Sequence, residues 1–377
     1  MQNLSEKLEL LKQENSFRTI KNINEKFSKY IVVDDKKMLN LSSNDYLNLS
    51  TDKDLISEFI EKNHFKNEFL FSSASARLLT GQSACYSELE NIFKNLYKKD
   101  GALLFNTGYQ CNQGIVSTLF EKGDCIFSDK LNHASIVSGL KLSPAEHFRY
   151  KHNDMVQLEK ILSEKRNNYK NAVIISESVF SMDGDIADIR KLVELKKKYN
   201  CYLMIDEAHA FGVFGENLLG VAEKLNLINE IDIITVTLGK SLASLGAICI
   251  STKTITNYLI NKASSFIFST AIPPVNVMWT NFLLKEKFKF LKEKSQKLNE
   301  LFNFVHTIYP TISSSQIIPV ILGEAKIAKN KAFELQNKGF YVLPINPPTV
   351  PKGTSRLRLS LTSDITKEEI TVFFKEL

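Results

Sequence analysis

The chain has 377 residues, 44% hydrophobic and 24% charged, an ordinary balance for a globular enzyme with room for two domains. Its 48 basic and 42 acidic residues leave a net charge of +6; they are interspersed along the chain, which argues against a basic arm for nucleic acid. The N-terminal MQNLSEKLELLKQE lacks the apolar stretch of a signal peptide, and the five cysteines (Cys85, Cys111, Cys125, Cys201, Cys249) show no CxxC spacing. With no apolar run near the ~18 residues of a membrane span, a reduced cytoplasmic protein is expected, with no nucleic acid, membrane or metal among its partners.

Leu4, Leu8 and Leu11 stand at helical spacing, so residues 1–14 are expected to form an amphipathic helix whose stripe needs a partner. Arg18 opens a mixed, charged stretch, 18–38, that fits no element. LNLSSNDYLNLS (39–50) reads as a structured loop, 51–67 as a helix, and the small-residue run FSSASARLLTGQS (71–83) as a second loop. From residue 84 the pattern alternates. Helix 84–99 leads to strand 101–105, a turn at 106–108 and a helix from Tyr109. Strand 124–128, a helix from about 133, strand 146–151, helix 154–165, strand 172–176 and helix 186–199 follow. Strand 201–205, a helix near 216–228 and strands 231–238 and 246–251 close the series. Such alternation predicts a mainly parallel sheet covered on both faces. Pro273-Pro274 breaks it. Beyond lie a long helix at about 275–304, segments 316–322 and 340–345, the strand SRLRLSL (355–361) and a helix from about 366. The expected division is an N-terminal helix and arm (1–50), a large α/β domain (51–272) and a smaller C-terminal α+β domain (273–377).

Two strand exits carry the chemistry. The apolar run Cys201–Ile205 ends in Asp206, Glu207 and His209, and Ile231–Leu238 ends in Gly239, Lys240 and Ser241. In open α/β sheets ligands sit outside the carboxyl ends of the strands. A lysine and an aspartate delivered there suit pyridoxal phosphate (PLP): the amine forms a Schiff base with the aldehyde, and the carboxylate holds the pyridine nitrogen protonated. Two other readings compete. Asp206-Glu207-Ala208-His209 spells the DEAH of nucleic-acid-dependent ATPases, but the sole GK[ST] tripeptide, Gly239-Lys240-Ser241, has Ile234 where the loop's first glycine belongs, and it follows DEAH instead of preceding it. A capping aspartate and a solvated lysine in an ordinary α/β protein would look the same from these two segments alone.

Nine motifs in order widen the view: LSSNDYL (41–47), ARLLTG (76–81), FNTGYQCN (105–112), SDKLNHASI (128–136), SESVFSMDGDIADI (176–189), IDEAHAFGVFGE (205–216), TLGKSLASLGA (237–247), FSTAIPP (268–274) and SRLRLSLT (355–362). Together they resemble the α-oxoamine synthases, PLP-dependent transferases of fold type I (aspartate-aminotransferase-like), which condense an amino acid with an acyl-CoA thioester and release CO2. The resemblance implies a catalytic set of Lys240, His133 and Asp206. Lys240 would carry PLP, Asp206 would pair with the ring nitrogen, His209 would hydrogen-bond the phenolic oxygen and His133 would stack on the ring. Gly108, Tyr109 and Thr237 would hold the phosphate, Glu177 and Ser181 would line the ring, and Thr270 would reach the phosphate from the second subunit of a homodimer. Arg18, Asn44 and Arg358 would bind substrate, the last two at the amino acid's carboxylate.

Plainer roles stay open beside these. His133 could cap a helix, Glu177 and Ser181 could be loop residues, and Asn44 could satisfy loop backbone. Arg356 and Arg358 share a strand face by period two, so either could be the anchor; motif register favours Arg358. The chain departs from the family at Ser72-Ser73-Ala74-Ser75-Ala76, where glycines are usual, at Asn48 for glycine and at Tyr86 for histidine. Within the family the resemblance implies L-alanine and a pimeloyl thioester, on CoA or a carrier protein. Glycine C-acetyltransferase, 5-aminolevulinate synthase, serine palmitoyltransferase and aminoketone signal synthases are alternatives, and a non-catalytic subunit of the same fold is another class.

Overall fold

The computed structural model describes residues 3–14 and 16–377, so the helix expected over 1–14 can be followed only in part, as Met1, Gln2 and Asn15 lie outside the described residues. Helix α1 (Leu4–Gln13) buries none of its side chains. The chain forms two compact units, one of Met1–Asp52, Ser181–Asp185 and Gln296–Leu377, the other of Lys53–Phe180 and Ile186–Ser295.

The stretch 18–38 that no pattern resolved holds three short strands, β1 (Glu25–Phe27), β2 (Tyr30–Val33) and β3 (Lys36–Asn40). They pair as antiparallel neighbours, with Ile31, Val33, Met38 and Leu39 buried. The strands are short, and β3 buries two consecutive residues after two exposed lysines, so no alternation marks it. Asn48 takes φ +53 and donates to Asp364 Oδ2 at 2.6 Å, so an asparagine serves in this left-handed position.

In the second unit, α2 (Lys53–Asn63) and α3 (Ala84–Tyr97) precede β4 (Gly101–Phe105), α4 (Gly108–Leu119), β5 (Cys125–Asp129), α5 (Ala134–Leu142), β6 (Glu146–Tyr150), α6 (Met155–Lys165), β7 (Ala172–Glu177), α7 (Ile189–Lys198), β8 (Tyr202–Asp206), α8 (Val221–Lys224), β9 (Ile233–Thr237) and β10 (Ala247–Ser251). The seven strands make one sheet in the order β4-β10-β9-β8-β7-β5-β6, with β10 antiparallel to both neighbours and the remaining pairs parallel. The carboxyl ends of β4, β5, β7, β8 and β9 therefore share one edge. Strands β5, β7 and β10 are buried along their whole length, as a parallel sheet covered on both faces requires. On one face α4 and α5 pack closely, since a Cβ at Gly139 would come within 2.7 Å of Val116. Their apolar stripes join Leu103, Val173, Ile175, Met204 and Ile233 in one core.

After α9 (Lys253–Lys262) and α10 (Ser264–Ile267), the long helix expected at 275–304 is two helices, α11 (Pro274–Glu286) and α12 (Phe288–Ile308), interrupted at Lys287. No glycine or proline marks that break. The helix expected near 216–228 shrinks to the four residues of α8: Glu207 caps its start, as described below, and Asn226, at φ +59, stands just past its end. In the first unit, β11 (Ile317–Gly323), α13 (Ala325–Asn337), β12 (Phe340–Tyr341), β13 (Pro344–Ile345), β14 (Ser355–Ser360) and α14 (Lys367–Glu376) follow. Strand β12 extends the β1-β2-β3 sheet, and β11-β14-β13 form a second, antiparallel sheet. A capping box at Thr366 and Glu369 starts α14. No described helix is long and apolar enough to cross a membrane.

The glycine-poor loop has a visible consequence: Ala74 is held at φ +49. A non-glycine residue there costs roughly 1–2 kcal/mol, against about 0.4–1 kcal/mol for the freedom a glycine adds to the unfolded chain. Ala74→Gly should therefore raise stability by about 0.5–1 kcal/mol, read as a higher midpoint in thermal melts. An unchanged or lower midpoint would show that the loop relaxes around alanine.

Candidate active site

Strand register sets the first contacts. Glu177 at the end of β7 lies opposite Asp206 at the end of β8, and Asp206 lies opposite Thr235 on β9. Asp206 is buried, and both its oxygens are held: Oδ2 accepts from Asn112 Nδ2 at 2.7 Å, and Oδ1 from the Ala208 N–H at 2.9 Å. Glu177 is buried beside it, and its Oε1 meets no hydrogen-bond partner among the described residues. Burial, and then the like charge of Asp206, hold the Glu177 carboxyl well above the usual carboxylate range, against the opposing pull of Lys240 and the His133 N–H.

Lys240 leaves β9 into a tight turn, and its Nζ lies 3.0 Å from Nε2 of His209. Two contacts fix this approach. Ser241 Oγ donates to Phe211 O at 2.8 Å, and Gly212, at φ +81, packs on Ser241 where a Cβ would come within 2.3 Å of its Oγ. A phosphate-loop reading of Gly239-Lys240-Ser241 fails here, because no helix follows the turn: the chain runs directly into β10.

At the start of α4, Thr107 caps the helix, accepting the Gln110 N–H at 3.1 Å on its side chain and the Cys111 N–H at 3.0 Å on its carbonyl. The N–H groups of Gly108 and Tyr109 stay without a partner among the described residues. A Cβ at Gly108 would come within 2.8 Å of Thr237 Oγ1, so glycine lets that hydroxyl lie against the helix start. Free N–H groups and the helix dipole make such a place suited to an anion. His133 caps α5, its Nδ1 accepting the Ser135 N–H at 3.2 Å and lying 2.7 Å from Ser135 Oγ. Capping uses only Nδ1 and leaves the ring open to a second role. Atoms packed around the imidazole desolvate it and, with Lys240, push its pKa below the ordinary value, although Asp206 pulls the other way. Thr270 is exposed, bridged to Ala76, and its carbonyl accepts from Asn106 Nδ2 at 2.5 Å.

The second unit thus gathers Gly108, Tyr109, His133, Glu177, Asp206, His209, Thr237 and Lys240 on the sheet edge, with Thr270 in the segment after α10. The remaining expected residues belong to the first unit. Arg358 on β14 is buried and donates from Nε to Ser181 O at 2.5 Å and from Nη1 to Asn44 Oδ1 at 3.2 Å. Arg356, two residues earlier, is ion-paired with Asp183 and donates to Thr354 O at 3.0 Å. Asn44 does not serve the loop backbone; Asp45 does, accepting the N–H groups of Leu49 and Ser50 at 2.9 Å each. Arg18 donates to Thr349 Oγ1 at 2.8 Å. It lines a groove of about 740 Å³ with Lys21, Lys329, Phe333, Tyr341 and Ile345. Asn112, Thr235 and Ser135 were missed in the sequence. Their only signal was a place inside the motifs FNTGYQCN and SDKLNHASI or on β9. Among the described residues no three His, Cys, Asp or Glu could hold a metal.

The donor set fits PLP: an amine for the aldehyde, a buried carboxylate for the ring nitrogen, an imidazole nearby and an anion-binding helix start for the phosphate. The aminotransferase class I and II profile matches residues 36–377. The chain belongs to that family. It is 44% identical over 379 residues to a provisionally named 8-amino-7-oxononanoate synthase of Haemophilus influenzae, covering 99% of both chains. A similarly named protein of Neisseria meningitidis serogroup A matches at the same identity and coverage. Among solved structures, a serine palmitoyltransferase from S. paucimobilis with a PLP–myriocin adduct superposes with a TM-score of 0.88 at 27% identity, over 99% of this chain and 95% of that one. An 8-amino-7-oxononanoate synthase from Francisella tularensis gives 0.74 at 28% identity, over 90% and 96%. The protein is accordingly a PLP-dependent transferase of fold type I, with a large, mostly parallel sheet and a smaller α+β part.

Glu207, beside Asp206, caps the start of α8. Its carboxylate accepts from Ser178 Oγ at 2.5 Å, Val221 N at 3.0 Å and Ala222 N at 2.8 Å. Burial pushes its pKa up to about 7, against those hydrogen bonds. A raised folded-state pKa means that the folded protein binds the proton more tightly than the unfolded chain. That stabilisation is complete below the ordinary value of 4.5 and is lost as pH rises through about 7. The melting midpoint should fall from pH 5 to pH 8, and Glu207→Gln, uncharged at both, should flatten the fall. An equal slope in the variant would place the effect elsewhere.

Proposed function

We propose that this enzyme condenses L-alanine with a pimeloyl thioester, carried by CoA or an acyl carrier protein, to give 8-amino-7-oxononanoate, the free thiol and CO2, in biotin biosynthesis. The observation that carries the reading is the intact Lys240, Asp206, His133 and His209 constellation in a chain 44% identical, end to end, to proteins given that provisional name. The higher backbone similarity to serine palmitoyltransferase does not favour that substrate, because one fold hosts many functions and specificity lives in side chains.

The chemistry that PLP supplies when bound is an electron sink for charge developing at the amino acid's α-carbon. Lys240 would hold the cofactor at rest and, once released, remove the α-proton as general base. Asp206 would accept the ring N–H. Gly108, Tyr109 and Thr237 would hold the phosphate, His209 would reach the phenolic oxygen, His133 would stack on the ring, and Glu177 and Ser181 would line it. The new bond joins the α-carbon to the acyl carbon as the thiolate leaves. The α-carboxylate then departs as CO2, and a proton returned by Lys240 restores the carbon.

The amino acid's carboxylate is assigned to Arg358 with Asn44. Arg358 is a buried cation whose hydrogen bonds go to neutral oxygens, and no carboxylate pairs with it among the described residues, whereas Arg356 is already matched by Asp183. Arg358→Ala should raise the KM for alanine by at least about 30-fold, the loss of roughly 2–5 kcal/mol expected when a paired buried charge loses its partner. The KM for the thioester should hardly move. Arg356→Ala behaving this way instead would reverse the assignment. Arg18, with Lys21 and Lys329 on a groove with apolar walls, suits an acyl chain that ends in a carboxylate.

A homodimer is part of this reading. Phe71, Leu79 and Phe268 are 78%, 78% and 83% exposed around the Ala76–Thr270 bridge, an apolar patch that a second copy would cover, bringing Thr270 to the neighbouring phosphate. A cytoplasmic location is proposed with it.

Selection of alanine over glycine rests on one methyl contact, about 1–3 kcal/mol. The test is kcat/KM for alanine with pimeloyl-CoA against glycine with acetyl-CoA or succinyl-CoA and serine with palmitoyl-CoA. The alanine reaction should lead by ten-fold or more, as about 1.4 kcal/mol suffices for that. A faster rate with any other pair would replace the substrate assignment and leave the PLP site standing.

A further inference from the structure

One buried amide touches both sides of the site. Asn112 lies on α4, one turn beyond Gly108, and is 3% exposed. An ionised carboxylate only accepts, so the amide must turn Nδ2 toward Asp206, at 2.7 Å, and Oδ1 away from it. Oδ1 then receives the Thr235 hydroxyl at 3.1 Å, and the second Nδ2 proton reaches Ser135 Oγ, also at 3.1 Å. His133 Nδ1 already accepts the Ser135 N–H at 3.2 Å, so the Ser135 hydroxyl, 2.7 Å away, gives its own proton to the same nitrogen. The directions at Asn112 follow from the carboxylate, and the direction at Ser135 follows from its backbone N–H.

We propose that Asn112 is a positioning residue that fixes the Asp206 carboxylate for the cofactor ring and, through Ser135, sets His133 as the tautomer protonated on Nε2. The Ala208 N–H holds the other oxygen of Asp206, so the carboxylate is clamped at two points and cannot rotate away from the ring nitrogen. Thr235 keeps the amide from flipping: a flipped Asn112 would turn its oxygen against the carboxylate. His133 receives a hydrogen bond on Nδ1 from both the Ser135 hydroxyl and the Ser135 N–H, which leaves Nε2–H as the donor available to bound groups. Burial favours the uncharged imidazole, the form in which the choice of tautomer matters.

The inference rests on the PLP-site reading above, and a double-mutant cycle separates the two. PLP retention by the holoenzyme is measured by equilibrium dialysis for wild type, Asn112→Leu, Asp206→Asn and the double variant. Asn112→Leu should loosen PLP about ten-fold or more in the wild-type background and less than about two-fold in Asp206→Asn, because contacting groups that act as one unit are not additive. Equal loosening in both backgrounds would mean a merely structural role and overturn the proposal, as would no loosening in wild type. If Asp206→Asn itself retains PLP unchanged, the site reading falls and this inference with it. Should Asn112→Leu not fold, Thr235→Val, which removes only the orienting hydroxyl, carries the same cycle: it should loosen PLP in the wild-type background and not in Asp206→Asn. Nitrogen NMR of His133 in the holoenzyme should show an unprotonated Nδ1; a proton there would reverse the chain and overturn the tautomer assignment.

Discussion

Two carboxyl groups at equal height on adjacent parallel strands cannot both be ionised cheaply in a buried place, and Glu177 and Asp206 are in that relation. The fold resolves the conflict by giving the donors to one of them. Asp206 receives the Asn112 amide and the Ala208 N–H, while Glu177 keeps one oxygen without a partner and its carboxyl well above the ordinary range. Environments that separate neighbouring acids in this way assign them different work. Asp206 is left as the oriented acceptor of the pair, and Glu177 as the acid that holds its proton more tightly than usual. The remaining parts of the site are arranged around this asymmetry, because Asn112, His133 and Lys240 all lie within the electrostatic reach of the pair.

Holding a lysine amine against such a site needs rigid turns, and the sequence spends conformational freedom there. Lys240 is followed by Ala243 at φ +45, whose N–H donates back to Lys240 O at 3.0 Å. The facing turn depends on Gly212 to admit Ser241, and beyond it Gly220, at φ +112, packs so tightly on Glu207 that a Cβ would meet the carboxylate at 2.4 Å. A left-handed alanine in one loop and a buried acid in the other are both costly, and both persist where surrounding contacts over-determine them.

The sheet was legible because most of its strands are apolar runs that end in polar or charged residues, a signal that survives without knowledge of neighbours. Strands β1 to β3 were not, because they are only three to five residues long and the burial of β3 does not alternate, with Lys36 and Lys37 exposed and Met38 and Leu39 buried. The break at Lys287 was not either, since apolar periodicity runs through it and no residue there forbids a helix. Helix α8 was overestimated at both ends: Glu207, fourteen residues before Val221, caps its start from another element, and Asn226, at φ +59, stands just past its end. Motif order identified the family and most of the candidate residues. It missed Asn112, Thr235 and Ser135, whose roles exist only once α4, α5, β8 and β9 meet.

Arg356 and Arg358 show how far pattern goes and where partner chemistry takes over. Period two puts both on one face of β14 and says nothing more, and both are indeed buried. What separates them is the segment Ser181–Asp185. Gly184, at φ +71, lies so close to Ile317 O that no Cβ fits, and Ser313 and Ser315 both donate to its carbonyl. That clamp presents a carboxylate, Asp183, to Arg356 and only a peptide oxygen, from Ser181, to Arg358. A buried guanidinium surrounded by neutral oxygens is costly as it stands. Its charge is best matched by an anion that arrives from outside the chain, and a planar carboxylate is the anion that a guanidinium fork fits in two places at once.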